Sequence, residues 1–151
     1  MEPEITRIFH FNINCTNLER TLTFYEMLGF KVIIDFREGM QSQEMAEAFG
    51  LKTADLKGVH LRMGDSDTAT RIDLLEFKDP SPQGKPYPAL NYTGVARVCL
   101  KTVGIWKVYE DLKAKCVQFI SEPKKLPGTD VTIVCFKDPD GTFLELLEGD
   151  F

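Results

Sequence analysis

Several features that define common protein classes are missing from this chain of 151 residues. It contains no apolar run near the roughly 20 residues that a membrane-spanning helix needs. Its first residues lack the charged-then-apolar pattern of an export signal. Basic residues do not cluster and the net charge is −5, which argues against a nucleic acid partner. We therefore expect a cytoplasmic protein that binds neither membranes nor nucleic acid.

The cysteines also lack a recognisable arrangement. None of the four forms a Cys-x-x-Cys pair, which excludes a zinc knuckle and a thioredoxin-type motif. Reduced thiols are the expectation for a cytosolic protein. His60 lies between Val59 and Leu61, and the pattern predicts a strand histidine with an ordinary hydrogen bond.

What the chain does contain is a duplicated order of strand, helix and three strands. Residues 1–78 form the first predicted module and residues 93–151 the second, joined by a linker at 79–92 that holds four prolines. The segment 38–58 is extra in the first module, and we predict a short helix in its middle. A unit this short cannot bury both faces of its sheet, so we expect the two modules to pack together.

Apolar periodicity and turn residues set the predicted elements. One helix follows the capping residue Asn17 and stops at Gly29, and a second covers 105–115. The predicted strands are 6–14, 30–36, 58–64, 70–77, 94–102, 117–120, 132–136 and 142–148. In the first of these strands, alternation predicts that Phe9 packs on the helix side.

Four polar residues occupy matching places in the two modules. An offset of 87 residues aligns His10 with Arg97, and the ends of the modules align Asp73 with Glu145. Period-two alternation puts all four on the side of the sheet that faces away from the helices. Polar groups that converge among apolar neighbours are typical of a ligand pocket.

Two stretches carry a family resemblance, HFNINCTNLERTLTFYEMLGFKV near the start and FKDPDGTFLELLE near the end. The chain resembles the vicinal oxygen chelate superfamily, which includes glyoxalase I, extradiol dioxygenases and bleomycin resistance proteins. The resemblance implies an α+β fold of two βαβββ modules whose mostly antiparallel sheets form a cup, with helices outside. The family's metal positions fall on His10, Asp73, Arg97 and Glu145.

Arg97 departs from the family pattern, because the metal enzymes usually have a histidine at this position. A guanidinium has no lone pair to offer a cation. His10, Asp73 and Glu145 remain as ligands for Mn, Fe, Ni or Zn. At about 5 Å and an effective dielectric of roughly 20, Arg97 would repel a divalent ion by about 6–7 kcal/mol. We therefore favour a site without a cofactor.

Without a metal, two alternatives are open. Arg97 pairs with Asp73 or Glu145 as a structural substitute for the ion. Alternatively, Arg97 holds a substrate oxyanion while Glu145 or His10 moves a proton. The second alternative is the one we favour, with Glu145 as the first choice for proton transfer.

The sequence therefore predicts a lyase or isomerase of the glyoxalase type that acts on a small oxygen-bearing organic molecule. The predicted catalytic residues are Glu145, His10, Arg97 and Asp73. Further residues on the same face are predicted to contact substrate, namely Arg97, Asn12, Cys99, Phe143 and Phe77. The alternatives are a metal-free drug- or metabolite-binding protein of the resistance type, and a metal-dependent lyase or dioxygenase. The resemblance also implies a homodimer, with modules paired within one chain or swapped between two.

Overall fold

The computed structural model describes residues 1–151, which form two compact units, Met1–Gln83 and Gly84–Phe151. The division between them falls inside 79–92, the segment predicted as a linker. Each unit contains its own sheet and helix, so the predicted α+β class is confirmed. None of the three helices has the length and hydropathy of a membrane span.

The first unit is a four-stranded sheet in the order β1-β4-β3-β2. The short helix predicted in the middle of 38–58 is present as α2. In chain order its elements are β1 (His10–Asn14), α1 (Leu18–Met27), β2 (Lys31–Gln41), α2 (Gln43–Ala48), β3 (Asp55–Arg62) and β4 (Arg71–Asp79).

The second unit repeats this order in a sheet arranged β5-β9-β8-β6. Two very short strands, β6 and β7, both pair with β8, so together they take the place that β2 has in the first sheet. The elements are β5 (Val98–Lys101), α3 (Ile105–Ala114), β6 (Gln118–Phe119), β7 (Lys124–Lys125), β8 (Thr132–Lys137) and β9 (Phe143–Glu148).

The strand registers confirm the duplication. In the first sheet β1 runs parallel to β4 and pairs Asn12 with Asp73. In the second, β5 runs parallel to β9 and pairs Cys99 with Glu145. Asn12 and Cys99 are separated by the same 87 residues that align the openings of the two modules. Each carboxylate therefore holds the same position in its own sheet.

Two side chains accept hydrogen bonds from the backbone amides at the start of helix α1. The side chain of Asn17 accepts a hydrogen bond from the Arg20 amide at 3.0 Å, as its predicted capping role requires. The Glu76 carboxylate accepts from the Leu18 amide at 2.6 Å. A carboxylate at this end also meets the positive end of the helix dipole.

Glu148 has the same role in the second unit, where it accepts from the backbone amides of Gly104 and Ile105. Glu76 and Glu148 fix each helix to the last strand of its sheet, because the first amides of a helix have no partner within the helix.

The helices cover the faces that alternation predicted. α1 packs on β4 and α3 packs on β9, where Ile72, Leu74, Leu144 and Leu146 are buried. The opposite faces carry the polar residues. Burying one apolar face of each sheet under a helix is what fixes strand register, since a slip by one residue would exchange the faces.

Strand β1 is shorter than the predicted 6–14. Its partner β4 begins at Arg71, whose amide donates to the Phe9 carbonyl at 3.0 Å, and no ladder partner exists for residues further upstream. The prediction that Phe9 packs on the helix side is therefore wrong. Its ring is 43% exposed and lies 4.7 Å from the Arg71 guanidinium carbon.

Gly58 on β3 permits the close packing of the face opposite the helices. A Cβ at this position would lie 2.7 Å from Leu75 Cδ2 and 2.9 Å from Phe36 Cε2, and closer still to the Leu74 carbonyl oxygen. Two flexible side chains can move, but the backbone carbonyl of a central ladder cannot move without breaking hydrogen bonds.

We predict that Gly58→Ala lowers the free energy of unfolding by about 3 kcal/mol, at the upper end for an overpacked core. Urea unfolding followed by circular dichroism measures the loss. Gly50→Ala is the control, because Gly50 has a φ of +69° and a methyl group added there would have nothing within 4 Å, so only strain of about 1 kcal/mol acts. Equal losses in the two variants would contradict the packing explanation.

Candidate functional site

A carboxylate lies at the centre of the polar face in each sheet. On β4, Asp73 has Asn12 and His60 as its neighbours on the adjoining strands. On β9, Glu145 has Cys99 and Cys135 in the equivalent places. The two units therefore present the same arrangement of positions with different chemistry.

In the first unit two imidazoles approach Asp73. His10 Nε2 lies 3.6 Å from Asp73 Oδ2, and His60 Nε2 lies 3.4 Å from Oδ1. Oδ1 is buried and has no hydrogen-bond partner. A buried acceptor without a partner costs about 1–3 kcal/mol, so the protein leaves the Asp73 carboxylate only partly compensated.

The protonation of His60 follows from its other neighbour. Arg71 Nη1 lies 3.4 Å from His60 Nδ1. Because arginine only donates, Nδ1 must accept, and the ring proton is then on Nε2, the nitrogen that lies 3.4 Å from Asp73 Oδ1. The rings of Phe9 and Phe36, at 6.2 and 6.0 Å, complete the surroundings of His60.

Burial disfavours charge in this cluster. Burial lowers the pKa of His60, although the charge of Asp73 acts in the opposite direction. Burial likewise raises the pKa of Asp73, against the effect of His60 and His10. His60 is therefore neutral at pH 7, and the Asp73 carboxylate is more basic than an ordinary aspartate.

In the second unit one oxygen of the carboxylate accepts from two donors. Arg97 Nε donates to Glu145 Oε2 at 2.6 Å, and the Cys135 thiol donates to the same oxygen at 3.6 Å. Only 4% of Glu145 is exposed, whereas 43% of the Arg97 side chain is exposed. One of the alternatives expected from the sequence, a direct pair between Arg97 and Glu145, is present.

The thiols beside Glu145 are weak nucleophiles. Burial, then the hydrogen bond and the charge of Glu145, raise the pKa of Cys99 to about 11. Burial and the charge of Glu145 also raise the pKa of Cys135 to about 11. Since the thiolate is the reactive form, neither residue is suited to covalent catalysis at neutral pH.

The structure also gives the surroundings of Asn12, Phe143 and Phe77, the other residues predicted to contact substrate. The Asn12 amide donates to the Asp73 carbonyl at 3.0 Å and borders the cluster. Phe143 is 3% exposed and has the Lys137 ammonium 5.4 Å from its ring centre. Phe77 lies 6.5 Å from the ring of Phe49. His10 and Asp73 meet within the first unit, and Arg97 and Glu145 within the second.

His60 is the residue that sequence reasoning overlooked. The pattern predicts an ordinary strand histidine, but His60 directly faces Asp73 across the ladder between β3 and β4. The predicted strands 58–64 and 70–77 contained this information. An antiparallel pairing that keeps Val59 and Leu61 on the face of Ile72 and Leu74 also puts His60 on the face of Asp73.

The two carboxylates should respond differently to neutralisation. Asp73→Asn removes a charge that burial disfavours, so we predict an unchanged or higher free energy of unfolding at pH 7. Glu145→Gln weakens a charge-assisted bond to Arg97, so we predict a loss of about 1–2 kcal/mol. Urea midpoints with unchanged m values test both. A loss in Asp73→Asn as large as in Glu145→Gln would contradict this assignment.

Solved structures of several proteins share the fold. A glyoxalase family protein from Bacillus cereus is 16% identical, with coverage of 97% of this chain and 96% of that one and a TM-score of 0.86. One from Enterococcus faecalis is 24% identical, with coverage of 94% and 97% and a TM-score of 0.65. A mutant of glyoxalase I from Zea mays is 20% identical over 95% of this chain and 46% of its own, with a TM-score of 0.67.

The sequence itself matches a family model. No curated protein is significantly similar to the chain. Residues 7–146 match the model of the Glyoxalase/Bleomycin resistance protein/Dioxygenase superfamily. Since that range takes in both units, the protein belongs to this superfamily.

Proposed function

We propose that the protein is a metal-independent lyase or isomerase of the glyoxalase type, which moves a proton on a small oxygen-bearing organic molecule. Asp73 is the proposed base, and His60 and His10 are its partners. The observation that carries the proposal is the buried, unpaired Oδ1 of Asp73 beside the protonated nitrogen of His60.

The chemistry follows from these protonation states. The Asp73 carboxylate takes a proton from a carbon next to a carbonyl group, and the electron pair moves to the carbonyl oxygen. The Nε2–H of neutral His60 donates to that oxygen as charge develops. Return of the proton to a different carbon or face completes an isomerisation. His10, whose side chain is 36% exposed, can exchange the proton with solvent.

Glu145, the residue first favoured for proton transfer, is less suited to the task. Its Oε2 already accepts from both Arg97 and Cys135, so that oxygen is not free to take a proton from a substrate. Arg97 donates to the protein through Nε alone. Within the second unit, we therefore assign Glu145 the role of holding and orienting the Arg97 guanidinium.

The metal that the family resemblance implies does not fit the residues of the second unit. Arg97 offers no lone pair, and it already occupies the nearer oxygen of Glu145 at 2.6 Å. A cation bound to Glu145 would have to displace this fixed positive charge.

The first unit offers a different set of ligand atoms, from His10, His60 and Asp73, all within 4.8 Å of one another. Arg71 opposes metal binding here too. A histidine that ligates a metal usually donates its other ring nitrogen to an acceptor, whereas His60 Nδ1 faces a donor. The proposal therefore uses no metal step.

A second candidate is binding without turnover, as in a drug- or metabolite-sequestering protein. It is favoured by exposed apolar side chains in the first unit, since Ile34, Met40 and Phe49 are 47%, 43% and 50% exposed. Exposed apolar groups of this size suit an organic ligand or a subunit contact.

Hydrogen–deuterium exchange separates the candidates without knowledge of the substrate. In D2O, we predict that the wild-type protein exchanges the α-hydrogens of at least one compound in a panel of small ketones and 2-hydroxyketones, followed by proton NMR. Asp73→Asn should slow this exchange by about 100-fold or more, the usual contribution of a positioned base.

Asp35→Asn is the matched control, because Asp35 lies on β2 of the same sheet, separated from β4 by β3, and pairs only with exposed Arg37. It should leave exchange unchanged. Compounds that bind without exchange would support the sequestering alternative. Exchange that persists in Asp73→Asn would contradict the role of Asp73.

A further inference from the structure

A row of basic side chains crosses the first sheet next to the Asp73 cluster. His10 pairs with Arg71 and Lys31 pairs with Arg62. The register that pairs His60 with Asp73 continues through Leu61 and Ile72, so Arg62 comes beside Arg71. The row is His10, Arg71, Arg62 and Lys31, all on the face that carries Asp73.

The protein compensates the two arginines of this row poorly, whereas His10 lies 3.6 Å from Asp73 and Lys31 lies 3.8 Å from Asp65. Arg71 has no carboxylate partner; its contacts are the Phe9 ring at 4.7 Å and His60 Nδ1 at 3.4 Å. Arg62 pairs at 3.1 Å with Asp67, whose side chain is 98% exposed. Such exposed pairs contribute little to stability. Like charges opposite each other on adjacent strands destabilise a sheet.

The two arginines are also incompletely hydrogen-bonded. The Nε atoms of Arg62 and Arg71 are buried and lack hydrogen-bond partners. The Arg62 side chain as a whole is only 18% exposed. Two partly buried guanidinium groups side by side, with open donors and no buried carboxylate paired to either of them, form an arrangement that a bound anion would stabilise. Because Nε is buried, the anion would meet the terminal amino groups.

The next two rows of the same face differ in character. The row two residues beyond the arginines contains Asp73 and His60, which we assign to proton transfer. The row two residues beyond that contains Leu75, Gly58 and Phe36. Leu75 is 4% exposed, and the Phe36 ring lies 6.0 Å from the ring of His60. Rows two residues apart are separated by about 7 Å.

We propose that the substrate is an organic anion that lies across these three rows. Its carboxylate or phosphate group binds Arg71 and Arg62, its oxygen-bearing reactive carbon lies at Asp73 and His60, and its apolar part contacts Leu75 and Phe36. This inference rests on the proposed function, because it gives the substrate class of the same site.

Binding of a small probe tests the inference. Benzoylformate carries a carboxylate, a ketone and a phenyl ring, and has no α-hydrogen to exchange. Its methyl ester lacks only the charge. By calorimetric or NMR titration, we expect the ester to bind at least about tenfold more weakly than benzoylformate, which is the effect of losing a charge-assisted contact. Equal affinities would overturn the proposal.

Substitution of the two arginines shows where the carboxylate of benzoylformate binds. Arg71→Met and Arg62→Met should each weaken benzoylformate binding by about tenfold or more and leave ester binding almost unchanged. Arg37→Met is the matched control on the same unit, because Arg37 already pairs with Asp35 at 2.5 Å, and it should bind benzoylformate normally. Normal binding in both Arg71→Met and Arg62→Met, with their folds intact by circular dichroism, would overturn the proposal.

Phenyl phosphate distinguishes the two kinds of anion. Tighter binding of phenyl phosphate than of benzoylformate would indicate that the substrate is a phosphate ester. Tighter binding of benzoylformate would indicate that the substrate is a carboxylic acid. The outcome is separable from the proposed function, since Asp73→Asn should slow exchange by about 100-fold or more and still bind the anion. Exchange without charge-dependent binding would remove only this inference, and charge-dependent binding without exchange would remove only the proposed catalysis.

Discussion

Each sheet holds one carboxylate at the centre of its polar face, and the way that carboxylate is compensated governs the chemistry of each unit. Glu145 is neutralised by Arg97 at 2.6 Å and hydrogen-bonded by a thiol. Asp73 faces two imidazole nitrogens at 3.4 and 3.6 Å and keeps one oxygen without a partner. A buried charged pair whose hydrogen bonds are made stabilises the fold, whereas a buried carboxylate that lacks a hydrogen bond can gain one from a ligand.

Duplication explains why the two clusters can be compared residue by residue. The same parallel register pairs Asn12 with Asp73 and Cys99 with Glu145. The same helix-capping carboxylates, Glu76 and Glu148, tie each helix to its last strand. With the backbone positions held constant, the difference between the clusters comes from side chains alone. Neutral His60 and basic Asp73 suit proton transfer, while the charged Arg97 suits anion binding.

The sequence predicted the class of the fold, the duplicated modules and the faces of the strands, because apolar periodicity determines all three. Strand ends were less predictable: β1 begins at His10 rather than at residue 6, since its ladder partner begins only at Arg71. With Val59 and Leu61 on either side, His60 resembles an ordinary strand histidine in the sequence, and only the strand register shows that it faces Asp73. The choice between Glu145 and Asp73 as the proposed base depends on contacts that only the structure supplies, namely those of Arg97 and Cys135 with Glu145.

Our central claim is that arginines take the place of a metal in this protein, with Arg97 on Glu145 and Arg71 on the ring of His60. Elemental analysis of the purified protein by inductively coupled plasma mass spectrometry tests this claim most directly. We predict that Mn, Fe, Ni and Zn are each far below one ion per chain, and that adding them leaves the melting temperature unchanged. A stoichiometric metal that is lost in both His60→Gln and Asp73→Asn would contradict it.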